Sequence, residues 1–122
     1  MISCIPALEF LRKICGLYED STNVVKLRVW ACGYGIAMDL TVKGKSVLCA
    51  VAGALRQEVE CFAQIGLPNV IRLVGDKTSE NQLKLIGMEP PIELHISREQ
   101  SSLQVVILYE GQVKATYVLS AA

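Results

Sequence analysis

The chain has 122 residues, 12 basic and 12 acidic side chains, one histidine and 52% apolar residues. That length suits a single domain over residues 1–122, and the apolar content excludes a disordered chain. The balanced charge lacks the basic excess or stripe of a duplex-binding surface, which argues against nucleic acid as a partner.

Cysteine usage narrows the setting. Cys4, Cys15, Cys32, Cys49 and Cys61 form no CxxC pair, and with a single histidine they predict neither a structural zinc site nor any other metal. No cofactor is implied. The odd cysteine count predicts a reducing, cytoplasmic compartment, and so do the first ten residues, which carry Pro6 and Glu9 where a secretory leader would be basic. No apolar run nears the roughly 20 residues of a helical membrane span. Aromatics make up 6%, so the core must be aliphatic.

In chain order, Pro6 to about Tyr18 reads as a helix, with Leu8, Leu11, Ile14 or Cys15, and Tyr18 at helical spacing. The polar run Glu19–Asn23 is a turn. Val24–Cys32 reads as a strand, Gly33-Tyr34-Gly35 breaks it, and Ile36–Val42 reads as a second strand. Ser46 looks like an N-cap for a long helix over Val47–Ile65, rich in Ala and Leu, free of Pro, and stopped by Gly66 and Pro68. Its first half is apolar all round, as expected for a central, buried helix.

Beyond it, Asn69–Val74 reads as a short strand, Gly75–Thr78 as a turn and Ser79–Ile86 as a short helix. Pro90-Pro91 imposes an irregular connector. Ile92, Leu94 and Ile96 then alternate with Glu93, His95 and Ser97, and Leu103–Tyr109, Glu110-Gly111 and Gln112–Leu119 complete a three-stranded antiparallel meander. The fold class expected from these elements is α+β: a largely antiparallel twisted sheet, with the long central helix and the N-terminal helix packed on one face.

Several constellations bear on chemistry. Gly44-Lys45-Ser46 sits at the expected strand-to-helix junction, but the position where a P-loop needs its first glycine holds Asp39, which excludes a nucleotide cradle. Lys45 and Ser46 at the helix start remain a candidate anion-binding pair. Cys49, in the first helical turn, is the candidate nucleophile, because the helix dipole would favour its thiolate. His95 shares a strand face with Glu93. Trp30 beside Arg28, together with Tyr109 and Tyr117, are candidate interface residues, the two tyrosines placed to pair across the last hairpin.

The stretch Gly44-Lys45-Ser46-Val47-Leu48-Cys49-Ala50-Val51-Ala52-Gly53-Ala54-Leu55-Arg56-Gln57 resembles the catalytic segment of the ribosomal-processing cysteine proteases. In that family a glycine-containing loop leads into Cys-Ala on a helix, and the cysteine attacks with a histidine of the preceding loop as base. The resemblance implies that Cys49 is the nucleophile, although the loop Gly33-Tyr34-Gly35 carries no histidine.

Two functional expectations follow. The first is a non-enzymatic interaction or assembly module, self-associating or bound to a protein partner, with an unpaired Gln112–Leu119 edge as the place for strand addition or a two-fold contact. The second is a cysteine-dependent protease-like protein, or an inactive relative of that family, acting through Cys49.

Overall fold

Strict two-residue alternation, rather than helical periodicity, governs nearly all of the chain. In the computed structural model, which describes residues 6–33, 35–55, 58–66 and 69–122, one short helix is followed by ten strands. They are α1 (Pro6–Lys13), β1 (Gly16–Glu19), β2 (Val25–Cys32), β3 (Gly35–Val42), β4 (Lys45–Leu55), β5 (Glu58–Ile65), β6 (Ile71–Ser79), β7 (Gln82–Ile86), β8 (Ile92–Glu99), β9 (Ser102–Tyr109) and β10 (Gln112–Ala121). Each strand runs antiparallel to the next, and β1 pairs with β10 to close a barrel.

The α+β expectation, an open sheet covered by helices, is therefore corrected to a closed antiparallel barrel. The decisive error lies in Val47–Ile65, which is not a central helix but the hairpin β4–β5. Leu48, Ala50 and Ala52 point inward and are buried, while Cys49 and Val51 between them are exposed. On β5, Cys61, Ala63 and Ile65 are buried and Phe62 and Gln64 exposed. The period of two is present but disguised, because the outward positions of β4 are as apolar as the inward ones. Ser46 does not cap a helix. It follows the two-residue turn Lys43-Gly44, whose residues both have positive φ (54° and 80°), the mirror-image turn that suits the twist of a hairpin.

Three smaller corrections accompany it. Tyr18 lies on β1 instead of the first helix, which ends at Lys13. The expected turn Gly75–Thr78 runs on within β6, and the expected helix Ser79–Ile86 is a turn followed by β7, where Leu83 and Leu85 alternate inward. The two strands before Gly44 and the C-terminal meander fall within a residue or two of their expected places.

The barrel wall needs an interior filling. Eight strands enclose a space that side chains just fill, so a ten-stranded barrel is wider than its own side chains can pack. Here β4 and β5 also turn small residues inward (Ala50, Ala52, Cys61 and Ala63). The deficit is met by α1, which lies chiefly against β2, β3, β4, β6 and β7 and buries Leu8, Phe10 and Leu11, with Ile14 just beyond. Each such side chain contributes about 1.5–3 kcal/mol on burial. Among the described residues no polar or charged side chain is buried.

Since the chain enters β1 directly from α1, the helix occupies the end of the barrel that also holds the β2–β3, β6–β7 and β8–β9 turns. The opposite end, with the β3–β4 and β9–β10 turns, is the mouth. Close to the helix end, Gly35 approaches the backbone so tightly that a Cβ there would sit 2.3 Å from the Ala52 carbonyl oxygen, so no larger residue fits.

Truncating the plug should be costly. Leu11→Ala is expected to lower unfolding stability by about 2–5 kcal/mol in chemical denaturation, because Leu11 is wholly buried. A loss below about 0.5 kcal/mol would mean that α1 does not fill the interior.

Candidate functional site

Interior packing, barrel closure and the outer wall each create a distinct surface. The largest departure from a closed structure is the seam between β1 and β10, which spans only Tyr18↔Ala121 and Glu19↔Ser120. On its other side β10 pairs with β9 from Gln112 to Ser120. Among the described residues, 112–119 of β10 therefore have a ladder partner on one edge only, although β10 also comes close to β2 without pairing with it.

Hydrogen-bond parity identifies the groups on the open edge. The Ala121 N–H donates to Ser101 O on the β9 side, and the Ala122 N–H donates to Leu17 O on the β1 side. Alternation along an antiparallel strand then turns the N–H and C=O of Ser120, Val118 and Thr116 toward the β1 side. Ser120 meets β1 there; Thr116 and Val118 do not. The flanking Val113 and Val118 side chains are 60% and 62% exposed. A register shift between Val113 and Ala115 leaves Lys114 as a bulge, which blunts the first part of the edge.

At the mouth, Ile65, Ile92, Ile107, Tyr109 and Lys114 line a hollow of about 230 Å³. Ile65 ends β5, Ile92 begins β8, Tyr109 ends β9 and Lys114 lies near the start of β10. None of those four strands is among the ones α1 chiefly packs against, so the hollow is the part of the interior the helix leaves unfilled. At the helix end a second, polar hollow of about 250 Å³ lies between Tyr18, Arg98, Ser102 and Ala121. The Tyr18 hydroxyl donates to Ile14 O at 2.8 Å, and burial raises its pKa above the ordinary tyrosine value, partly offset by Arg98.

The residues singled out in the sequence are scattered over this frame. Cys49 is exposed on the outer wall of β4, opposite Asp39 on one side and Gln64 on the other. No helix dipole acts on it. His95 lies on β8, four strands away, with Nε2 2.9 Å from Glu93 Oε1, so the structure does not bring a base to the thiol. Lys45 and Ser46 stand on β4 without the free helical N–H groups that an anion site there requires, and the Ser46 hydroxyl donates to Asp39 Oδ1 at 2.8 Å.

Trp30 is half-buried on the outer wall under the Arg28 guanidinium, 4.6 Å from the ring centre. It begins a lateral row, Trp30–Ala37–Val51–Phe62–Arg72, set by successive strand registers. Arg72 is ion-paired to Glu60. Tyr109 opposes Gln112 and Tyr117 opposes Val105, so the two tyrosines are not cross-strand partners; Tyr109 lies at the mouth and Tyr117 packs against the core.

Ile65, Ile92, Ile107 and Lys114 were not singled out in the sequence, and only their strand-end positions in a closed barrel mark them. Thr116 and Val118 lay within the expected free edge. Among the described residues no group of His, Cys, Asp and Glu is placed to hold a metal, and no helix is long and apolar enough to cross a membrane. No protein-family model, curated protein or solved structure matches the chain.

Thiol labelling separates these environments. Native alkylation near neutral pH should modify the exposed Cys15, Cys32 and Cys49 at similar rates and spare Cys61, which is buried and whose pKa burial pushes up to about 12. A preference of about tenfold or more for Cys49 over Cys15 and Cys32 would restore it as a nucleophile.

Proposed function

We propose that this protein is a non-enzymatic assembly module that self-associates by pairing the open edge of β10 with that of a second copy. The observation that carries the reading is the half-paired β10, whose Thr116 and Val118 offer backbone donors and acceptors beside exposed apolar side chains. Such an edge is a ready template for strand addition.

A second copy suits the edge for two reasons. An antiparallel two-fold centred on Tyr117 would set Thr116 of each copy against Val118 of the other, so that the same four backbone groups satisfy one another. The strand carries a single charge, Lys114, and the chain has 12 basic and 12 acidic residues, so two copies meet without net repulsion.

The setting proposed with it is the cytoplasm. Cys15, Cys32 and Cys49 are free and exposed, which suits a reducing compartment. The outer wall carries Arg28, Arg72, Lys84 and Glu93 within its strands, charges that a lipid-facing wall would have to bury, while the interior is apolar.

Light scattering at high micromolar concentration should report twice the 13.3 kDa chain mass. Val118→Pro removes an N–H that β9 does not use, so it should give a folded monomer; Val118→Lys should do the same by charging the edge. Tyr117→Pro, which strikes the β9 ladder, should instead unfold the barrel. A monomeric wild-type protein, or a dimer indifferent to both Val118 variants, would refute the reading.

A further inference from the structure

We propose that the hollow at the mouth binds a small monoanionic amphiphile, a medium-chain or aryl carboxylate, with its apolar body against Ile65, Ile92 and Ile107 and its head group at Lys114 and Tyr109.

Three observations converge on that class. The floor is aliphatic: Ile65, Ile92 and Ile107 are buried core residues whose outermost faces border the hollow. Transfer of an apolar body onto such a floor is favourable, and no polar side chain is buried in the interior, among the described residues, to oppose it. Among the described residues that line it, the ones with a polar side chain are Tyr109 and Lys114. Lys114 is exposed, and among the described residues it has no ion-pair partner and no acidic side chain lines the hollow. A cation at the edge of an apolar recess selects for a negative head group and against a positive one.

Size sets the length of the ligand. A cavity of about 150 Å³ accepts benzene, so 230 Å³ accommodates about nine to ten non-hydrogen atoms, the size of octanoate or phenylacetate. The bulge between Val113 and Ala115 contributes to the same selectivity, since it sets Lys114 out of the regular strand register at the lip. The hollow opens at the end of the barrel, whereas the proposed two-fold contact runs along the strand edge, so ligand binding and dimerisation are separable.

The test is titration of the full-length protein with sodium octanoate, followed by calorimetry and by methyl NMR, with octan-1-ol and octylammonium as head-group controls. Octanoate should bind saturably at one site per chain with a Kd of about 0.1–1 mM, and octylammonium about tenfold more weakly. Ile65, Ile92 and Ile107 methyl resonances should shift. Lys114→Gln, an exposed substitution, should weaken octanoate about fivefold and leave octan-1-ol unchanged. Absence of saturation, equal affinity for the three head groups, shifts confined to other methyls, or octanoate binding unaffected by Lys114→Gln would each overturn the proposal. Light scattering on the same samples reads the two-fold contact separately.

Discussion

The packing of α1 against the inner wall of the barrel is the interaction on which the other features depend. Ten strands enclose more space than inward side chains fill, and a wall that turns Ala50, Ala52, Cys61 and Ala63 inward widens the deficit. An eight-residue helix carrying Leu8, Phe10 and Leu11 is too short to be stable alone in water and gains its stability from this burial. Of the strands α1 lies against, β4 turns the small Ala50 and Ala52 inward, while Leu27, Met38, Leu73 and Leu83 are among the large inward residues of the others. Because the helix enters from one end, the unfilled remainder collects at the other, where Ile65, Ile92 and Ile107 face the hollow.

Closure is the second constraint. Antiparallel ladders are strong where they run the full strand, and β3–β4, β4–β5 and β9–β10 do so. The seam does not, because β1 has four residues and meets β10 over only two register pairs. A barrel closed so sparingly keeps the packing advantages of closure yet leaves most of β10 with the character of an edge strand. The half-paired edge and the apolar mouth both follow from how α1, β1 and β10 meet, since α1 leads into β1 and β10 ends beside it.

How much of this was legible in the residues depended on what faced outward. On β8 (Glu93, His95 and Ser97) and β2 (Lys26 and Arg28) the outward positions are polar, the period of two shows and the strands read correctly; β7 alternates in the same way but has only five residues, too few for periodicity to separate strand from helix. On β4 the outward Cys49 and Val51 are apolar and the inward Ala50 and Ala52 small, so the alternation vanished into a composition that favours helix. Alanine there serves not helix propensity but the space α1 needs. That one misreading placed Cys49 and Ser46 at a helix start and carried the anion and nucleophile readings with it. The open edge was legible because strand alternation and the Glu110-Gly111 turn mark β10 locally. The mouth was not, since its lining comes from four strand ends that only closure brings together.

The most direct measurement is a methyl NOESY spectrum on selectively labelled protein, read at Leu11. Insertion of α1 predicts cross-peaks from α1 methyls to inward residues of the strands it lies against, such as Met38 on β3 and Leu73 on β6, alongside cross-strand contacts between β4 and β5. A Leu11 spectrum without contacts to either wall, or sequential helical contacts running through Val47–Ile65, would contradict it.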